Sequence, residues 1–159
     1  MVIKPLSREF LLKRGYCCHN GCLNCPYKFM KYSLFLDDQR TPDQVSWIKL
    51  PNTDWIIVRN YDEFVNEILT NGLPEFISFD HDLSLSDAKV YCKNLRENKK
   101  TINYSDCKGK TGYDCAKWLV AYCGNNRLAV PSYAVHSVNP IGKENIEFYI
   151  ESYIKSTLK

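Results

Sequence analysis

Four apolar runs in this 159-residue sequence end in side chains that can do chemistry. These side chains are Asp37 and Asp38, then Arg59, then Asp80, His81 and Asp82, and finally His136 and Ser137. Carboxylates that meet at one place repel each other, and a hard cation with oxygen ligands is a common remedy. Asp37, Asp38 and Asp80 are therefore predicted to bind Mg²⁺ or Mn²⁺.

The cationic and imidazole groups nearby extend this chemistry to a phosphate. A guanidinium binds phosphate oxygens through two parallel hydrogen bonds, which makes Arg40 and Arg59 candidate ligands. His136 is the first candidate for general acid or base and His81 the second, because histidine titrates near neutral pH. In this scheme a metal polarises the phosphoryl oxygen and positions a water, while a histidine moves the proton.

Several of these residues also have a purely structural interpretation. Asp38 and Asp82 are suited to capping a turn or helix, and a lone histidine after a strand is often structural. Thr111 and Asp114 are predicted to be an N-cap and a first-turn acid. Asn139 is likewise predicted to cap the last helix. The three tryptophans, Trp47, Trp55 and Trp118, are predicted to lie in the core.

Hydrophobic periodicity predicts strands that alternate with helices. Strands are expected at 32–37, 54–59, 75–80 and 132–137, and helices at 62–70, 86–97, from 111 to a stop at Gly124, and from Asn139 onward. Residues 99–110 are polar and read as a loop. This alternation indicates a three-layer α/β sandwich with a mainly parallel central sheet. Right-handed crossovers bring the carboxyl ends of parallel strands to one edge, where ligands bind in such folds.

Five ordered blocks resemble the cyclic-phosphate-processing receiver-like domain family, over roughly residues 32–157. They are LFLDDQRTP, IIVRNYDEF, FISFDHDL, TGYDCAKWL and VHSVNPIGKENI. The resemblance implies a receiver-like fold, in which an acid pair and a third aspartate hold Mg²⁺. It implies hydrolysis of cyclic phosphates on RNA ends or in cyclic nucleotides. Its implied catalytic set here is Asp37, Asp38, Arg40, Asp80, His81, Asp82, His136 and Asn139, and the predicted phosphate ligands are Arg40, Arg59, Ser137 and Asn139.

One departure from ordinary receivers bears on activity. Ordinary receivers use a lysine after the last strand, where this chain has His136. That favours an enzyme over a phosphorelay switch phosphorylated at Asp80. A module that senses or sequesters a cyclic nucleotide or RNA end without turnover stays an alternative. The stretch 84–110 is longer than the family's usual connection.

A second, small module precedes this domain. Cys17, Cys18, Cys22 and Cys25 lie within nine positions, a spacing that favours a metal site over disulfides. Four thiolates suit tetrahedral Zn²⁺, with an iron–sulfur cluster as the less favoured occupant. The block resembles a CC-x-x-x-C-x-x-C-P-Y module of unknown function. The predicted domains are therefore 1–31, a cysteine-rich zinc-binding module, and 32–159, a receiver-like α/β domain.

Charge and composition limit the function classes. Apolar residues make up 45% and charged residues 25%, which excludes a disordered tail protein. Residues 1–32 carry a net charge of +5, so the N-terminal module is a candidate RNA contact, although a solvated basic tail is equally compatible. No apolar run approaches the roughly 20 residues of a membrane span, and no secretory signal is visible. A cytoplasmic metal-dependent phosphoesterase is the resulting prediction.

Overall fold

The computed structural model describes residues 6–14, 32–84 and 109–157. The predicted helix at 86–97, almost all of the predicted loop at 99–110, and the four clustered cysteines lie outside the described residues. Within the described ranges, no helix is long and apolar enough to cross a membrane.

A four-stranded parallel sheet forms the centre of the fold. Its strands are β1 (Ser33–Leu36), β2 (Trp55–Val58), β3 (Phe76–Phe79) and β4 (Ser132–Val135), in the order β2-β1-β3-β4. The predicted parallel α/β architecture is confirmed, and the fold is receiver-like. Each strand is two residues shorter than predicted, although the amides of Asp37, Asp80 and His136, which follow three of the strands, still donate to the neighbouring strands.

The helices are α1 (Arg8–Lys13), α2 (Tyr61–Asn71), α3 (Gly112–Asn126) and α4 (Pro140–Thr157), with a 3₁₀ turn at Pro42–Gln44. Helix α1 was not predicted, although Ser7 caps it by accepting a hydrogen bond from the Phe10 amide at 3.2 Å. Leu11 of this helix is fully buried. A helix of under two turns gives too short a pattern for periodicity to detect.

Helix α3 ends later than predicted. Gly124 was expected to stop it, but the helix runs to Asn126, and Arg127 caps it in the left-handed conformation with φ 55°. A Cβ placed at Gly124 would lie 3.5 Å from the Tyr153 hydroxyl of α4. A side chain at Gly124 would thus make only an ordinary contact with α4, and this glycine lies inside the helix, whereas Gly72, with φ 86°, ends α2 as predicted.

The hydrophobic core lies between one face of the sheet and helices α2, α3 and α4. Leu34 and Leu36 of β1 point into it, while Phe35 points to the opposite face, as strand alternation requires. The other main contributors are Ile77, Phe79, Phe64, Ile68, Cys115, Leu119, Ile146 and Ile150. The prediction that Trp47 is a core residue is wrong: 47% of it is exposed, because it lies in the β1–β2 connection outside the packed elements.

Candidate functional site

The ionisable residues after β1, β3 and β4 meet at the carboxyl edge of the sheet. The chain passes from β1 to its neighbour β2 on one side and then crosses to β3 on the other side of β1. The strand order therefore reverses at β1. Ligands bind at such a switch point in open parallel sheets. Asp37 follows β1, Asp80 follows β3 and His136 follows β4.

Asp37 is fully buried and its carboxylate is saturated with hydrogen bonds. Its Oδ1 accepts from the amides of Gln39 and Arg40 at 2.8 and 2.6 Å. Its Oδ2 lies 2.9 Å from Arg40 Nε and 3.1 Å from His136 Nε2. Burial alone would raise its pKa, but the hydrogen bonds and the Arg40 charge outweigh it and lower the pKa to about 2. Asp37 is therefore an anion at neutral pH.

Arg40 joins the two buried carboxylates. Its Nη2 donates to Asp80 Oδ2 at 3.0 Å while its Nε contacts Asp37. The Arg40 side chain is 28% exposed, whereas the carboxyl groups beneath it are almost inaccessible. The accessible group of this cluster is thus a cation.

Asp80 has a different electrostatic environment from Asp37. It accepts a hydrogen bond from the His81 amide at 2.8 Å and another from the Ser137 hydroxyl. Burial raises its pKa, and the nearby Asp37 charge adds to that rise, against the opposing effects of Ser137 and Arg40. The two carboxyl groups of the cluster therefore differ in how readily they hold a proton.

His136 is completely buried and hydrogen-bonded at both ring nitrogens. Nδ1 lies 2.7 Å from Ser78 Oγ, and Nε2 faces Asp37. The ring stacks on Phe35 with centroids 4.5 Å apart. Ser78 lies on β3 directly beside Phe35, and its small side chain leaves room for this stack. Trp47 Nε1 donates to the His136 carbonyl at 2.9 Å.

His81, Asp82 and Asn139 form a second polar cluster beside the first. His81 Nδ1 lies 2.8 Å from Asp82 Oδ1, and Asn139 Nδ2 donates to Asp82 Oδ2 at 3.2 Å. Asn139 Oδ1 accepts from the Gly142 amide at 3.0 Å, so the residue caps α4 as well. The cap interpretation of Asn139 is confirmed, and its contact with phosphate stays a prediction.

Two glycines let helix N-termini approach this cluster. A Cβ at Gly112 would lie 1.8 Å from the Asp80 carbonyl oxygen, and one at Gly142 would lie 2.2 Å from the His81 ring. The Gly112 amide donates to the His81 carbonyl at 2.8 Å. Both helices therefore begin against the loop that carries Asp80 and His81.

Asp37, Asp80 and His136 offer donor atoms that all lie within 4.8 Å of one another. This spacing fits one divalent cation, provided that the Arg40 guanidinium moves away from the carboxylates. The predicted ligand Asp38 is not part of this group; its Oδ2 accepts from Gln39 Nε2 at 3.1 Å instead. His136 therefore takes the place of Asp38 as the third candidate metal ligand.

Arg59 lies close to the site but contacts the backbone. Its Nη1 donates to the carbonyls of Asp37 and Arg40, at 2.9 and 2.6 Å. It thereby holds the turn that presents Arg40, and phosphate binding by Arg59 stays a prediction. Sequence reasoning missed two residues, Ser78 and Trp47. Ser78 had a signal, as the one polar residue in the run FISF, and Trp47 had none.

A parallel sheet in the order β2-β1-β3-β4, with buried acids at its switch point, defines a receiver-like protein. The chain belongs to the cyclic-phosphate processing Receiver domain family, whose model matches residues 32–152. Residues 6–31 match a family of unknown function, DUF5522. Searches among curated proteins and among solved structures found no match to this chain. The family indicates a role in cyclic phosphate processing.

Proposed function

We propose that this protein is a metal-dependent phosphoesterase that hydrolyses a cyclic phosphate, at an RNA 2′,3′-cyclic end or in a cyclic nucleotide. One observation carries the proposal. The Arg40 guanidinium is partly exposed and bound to two buried carboxylates, Asp37 and Asp80, at the switch point of the sheet. A phosphate that approaches this edge meets a cation first and acids directly behind it.

Phosphate binding is assigned to Arg40. A guanidinium offers several donors in a planar arrangement that matches two phosphate oxygens. Arg40 is held by its backbone amide on Asp37 and by Arg59 on its carbonyl, so the start of the side chain is fixed while its tip is accessible. A substrate phosphate competes with Asp37 and Asp80 for that tip.

The metal is assigned to Asp37, Asp80 and His136. Such a cation would polarise a phosphoryl oxygen and lower the pKa of a bound water. An imidazole ligand is unusual for Mg²⁺, which prefers oxygen, and is more compatible with Mn²⁺. We therefore favour Mn²⁺ over Mg²⁺.

The reaction needs two proton transfers. The oxygen of a water bonds to phosphorus, the bond from phosphorus to one sugar oxygen breaks, and that oxygen leaves as a hydroxyl. The water loses one proton and the departing oxygen gains one. We assign both transfers to the hydrogen-bonded pair His81 and Asp82, which would take a proton from the water and return one to the departing oxygen, while Asp80 stays with the metal. His136 is left out of these transfers: its Nε2 contacts Asp37 in the structure, and the same nitrogen, once deprotonated, would be its ligand atom when the metal is bound.

Binding without turnover is the second candidate. The burial of Asp37, Asp80 and His136 favours it, since none of the three is accessible to water in this arrangement. It predicts that a cyclic phosphate raises the melting temperature of the protein without being converted.

The test is a panel of 2′,3′-cyclic-phosphate-ended RNA, cyclic mononucleotides and cyclic dinucleotides, with mass spectrometry as the readout. Metal-stripped protein is assayed alone, with Mg²⁺ and with Mn²⁺. Gain of one water, lost in Asp80→Asn and kept in Asp54→Asn, supports hydrolysis. Asp54 is the control because it is an exposed acid at the opposite edge of the sheet. Thermal stabilisation without mass change would favour the binding module.

A further inference from the structure

The exposed indole of Trp47 lies beside the cluster that we assign to the phosphate. It is 47% exposed, although tryptophan is usually well buried. Its position is fixed at two points: Nε1 donates to the His136 carbonyl at 2.9 Å, and the Arg40 guanidinium carbon lies 5.5 Å from the ring centroid. Both contacts are to residues of the proposed catalytic edge.

We infer that Trp47 is a stacking surface for a nucleobase, so that the substrate is a nucleotide whose base is unpaired. This inference rests on the proposed function for the place of the phosphate. Aromatic side chains bind bases through stacking with little regard to base identity. The Arg40 guanidinium, which we assign to the phosphate, lies over the Trp47 ring, which would bind the base. A single nucleotide would therefore contact both residues.

The geometry argues against a purely structural role for the ring. A tryptophan that only filled space would bury its faces, as Trp118 does by stacking on Tyr122 and packing edge-on against Phe64. Trp47 uses its N–H and one side for anchoring and leaves half of its surface to solvent. A fixed, exposed ring loses little freedom when a base stacks on it, which favours binding.

The first experiment compares two cyclic phosphates, one with a base and one without. A nucleoside 2′,3′-cyclic phosphate and methyl riboside 2,3-cyclic phosphate are assayed with wild type, Trp47→Ala and Trp47→Phe. Base stacking predicts a roughly tenfold higher KM in Trp47→Ala for the nucleotide only, with kcat little changed and much of the loss restored in Trp47→Phe. A merely structural role would affect both substrates equally. It would also make Trp47→Phe as poor as Trp47→Ala, because phenylalanine cannot donate to His136.

The second experiment measures binding without turnover. Titration with a nucleoside 3′-monophosphate is expected to quench tryptophan fluorescence in wild type and in Trp118→Phe, but not in Trp47→Phe. Ribose phosphate is expected to leave the emission unchanged. Quenching without any hydrolysis would support the stacking site while overturning the esterase. Hydrolysis with equal KM for both cyclic phosphates, and no quenching, would overturn the stacking site alone.

A third comparison tests whether the base of the bound nucleotide must be unpaired. Wild type is given a free nucleoside cyclic phosphate, an RNA with an unpaired 3′ end, and the same RNA with its terminal base paired in a duplex. Stacking on Trp47 predicts that the paired end is the poorest ligand. Equal binding of paired and unpaired ends would contradict the inference.

Discussion

The hydrogen-bonded side chains Ser78, His136 and Asp37 fix the orientation of the imidazole ring in the site. The carboxylate of Asp37 can only accept, so Nε2 of His136 donates in this contact, while Nδ1 pairs with the Ser78 hydroxyl. Because the ring is fully buried, each of these bonds satisfies a group that water cannot reach. His136 thus holds Asp37 in one orientation.

Replacing Ser78 with alanine tests this arrangement. The change leaves Nδ1 of a buried ring without its partner, and we expect the free energy of unfolding to fall by about 1–3 kcal/mol. Ser132→Ala on β4, where the serine is exposed, is the matched control and should change stability by less than about 0.5 kcal/mol. Urea denaturation measures both. Equal stability of the two variants would show that the Ser78 contact contributes nothing.

The residues of the site differ in how far sequence could predict them. Asp37, Asp80 and His136 were predicted because they directly follow buried runs, and parallel strands bring such positions together. The backbone contacts of Arg59 and the exposure of Trp47 depend on the path of the β1–β2 connection. That connection has no periodic pattern, so its path could not be predicted.

At the level of elements, the starts of α3 and α4 shape the site. Each helix has a glycine in its first turn that lies against the loop after β3. The sequence predicted where both helices begin from their capping residues, Thr111 and Asn139. The sequence could not show that the two glycines allow close approach to Asp80 and His81, because it does not reveal which loop packs against each helix N-terminus.

Alanine substitutions at three glycines distinguish close packing against the site from the general preference of helices for alanine over glycine. Gly112→Ala and Gly142→Ala place a methyl group inside occupied space, and we expect losses of about 1–3 kcal/mol in the free energy of unfolding. Gly124→Ala, inside α3 with ordinary contacts, should instead stabilise the protein by about 0.5–1 kcal/mol. Thermal and urea denaturation give the values. Stabilisation by all three substitutions would refute the close approach at the site.

The capping carboxylate of α3 predicts a dependence on pH. Burial alone would raise the pKa of Asp114, but hydrogen bonds from Lys117 and from Thr111 outweigh it and lower the pKa below 3.8. The ionised Asp114 side chain therefore contributes its full stabilisation at pH values above its pKa in the unfolded chain. This stabilisation is lost as the pH falls through the lower pKa of the folded protein. At pH 7 we expect Asp114→Ala to cost about 1 kcal/mol.

The control for that experiment is Asp62→Ala, in the first turn of α2, where the carboxylate is exposed. Both variants lose a favourable charge at a helix N-terminus, but Asp114→Ala also loses the cap. The difference in stability between them should shrink as the pH falls below 3.8. A difference that stays constant from pH 7 to pH 2 would contradict the capping role.

For the molecule as a whole, sequence predicted the class of fold and the edge that carries the site. The alternation of apolar runs and amphipathic segments is sufficient for that, because parallel crossovers have a fixed hand. The order β2-β1-β3-β4 was not predicted, because hydrophobic periodicity does not show which strands pair with which. The N-terminal cysteines lie outside the described residues, and their metal stays a proposal, as does RNA contact through the basic segment.

Metal analysis tests the proposal for the N-terminal module. We expect about one zinc ion per chain, since four cysteine ligands hold one tetrahedral ion. The double variant Cys22→Ser, Cys25→Ser should lose it. Cys123→Ala, which removes a buried thiol in α3, should keep it. Zinc content that is unchanged in the double variant, or iron in its place, would contradict the assignment.

Hydrolysis in water enriched in heavy oxygen tests the proposed phosphoesterase activity most directly. Wild type, Asp80→Asn and Asp54→Asn are given the same cyclic phosphate with Mn²⁺, and the product is analysed by mass. Metal-dependent hydrolysis predicts one heavy oxygen on phosphorus with wild type and Asp54→Asn, and a rate at least roughly 100-fold lower with Asp80→Asn. An equal rate in Asp80→Asn, or a cyclic phosphate that all three proteins leave intact, would contradict it.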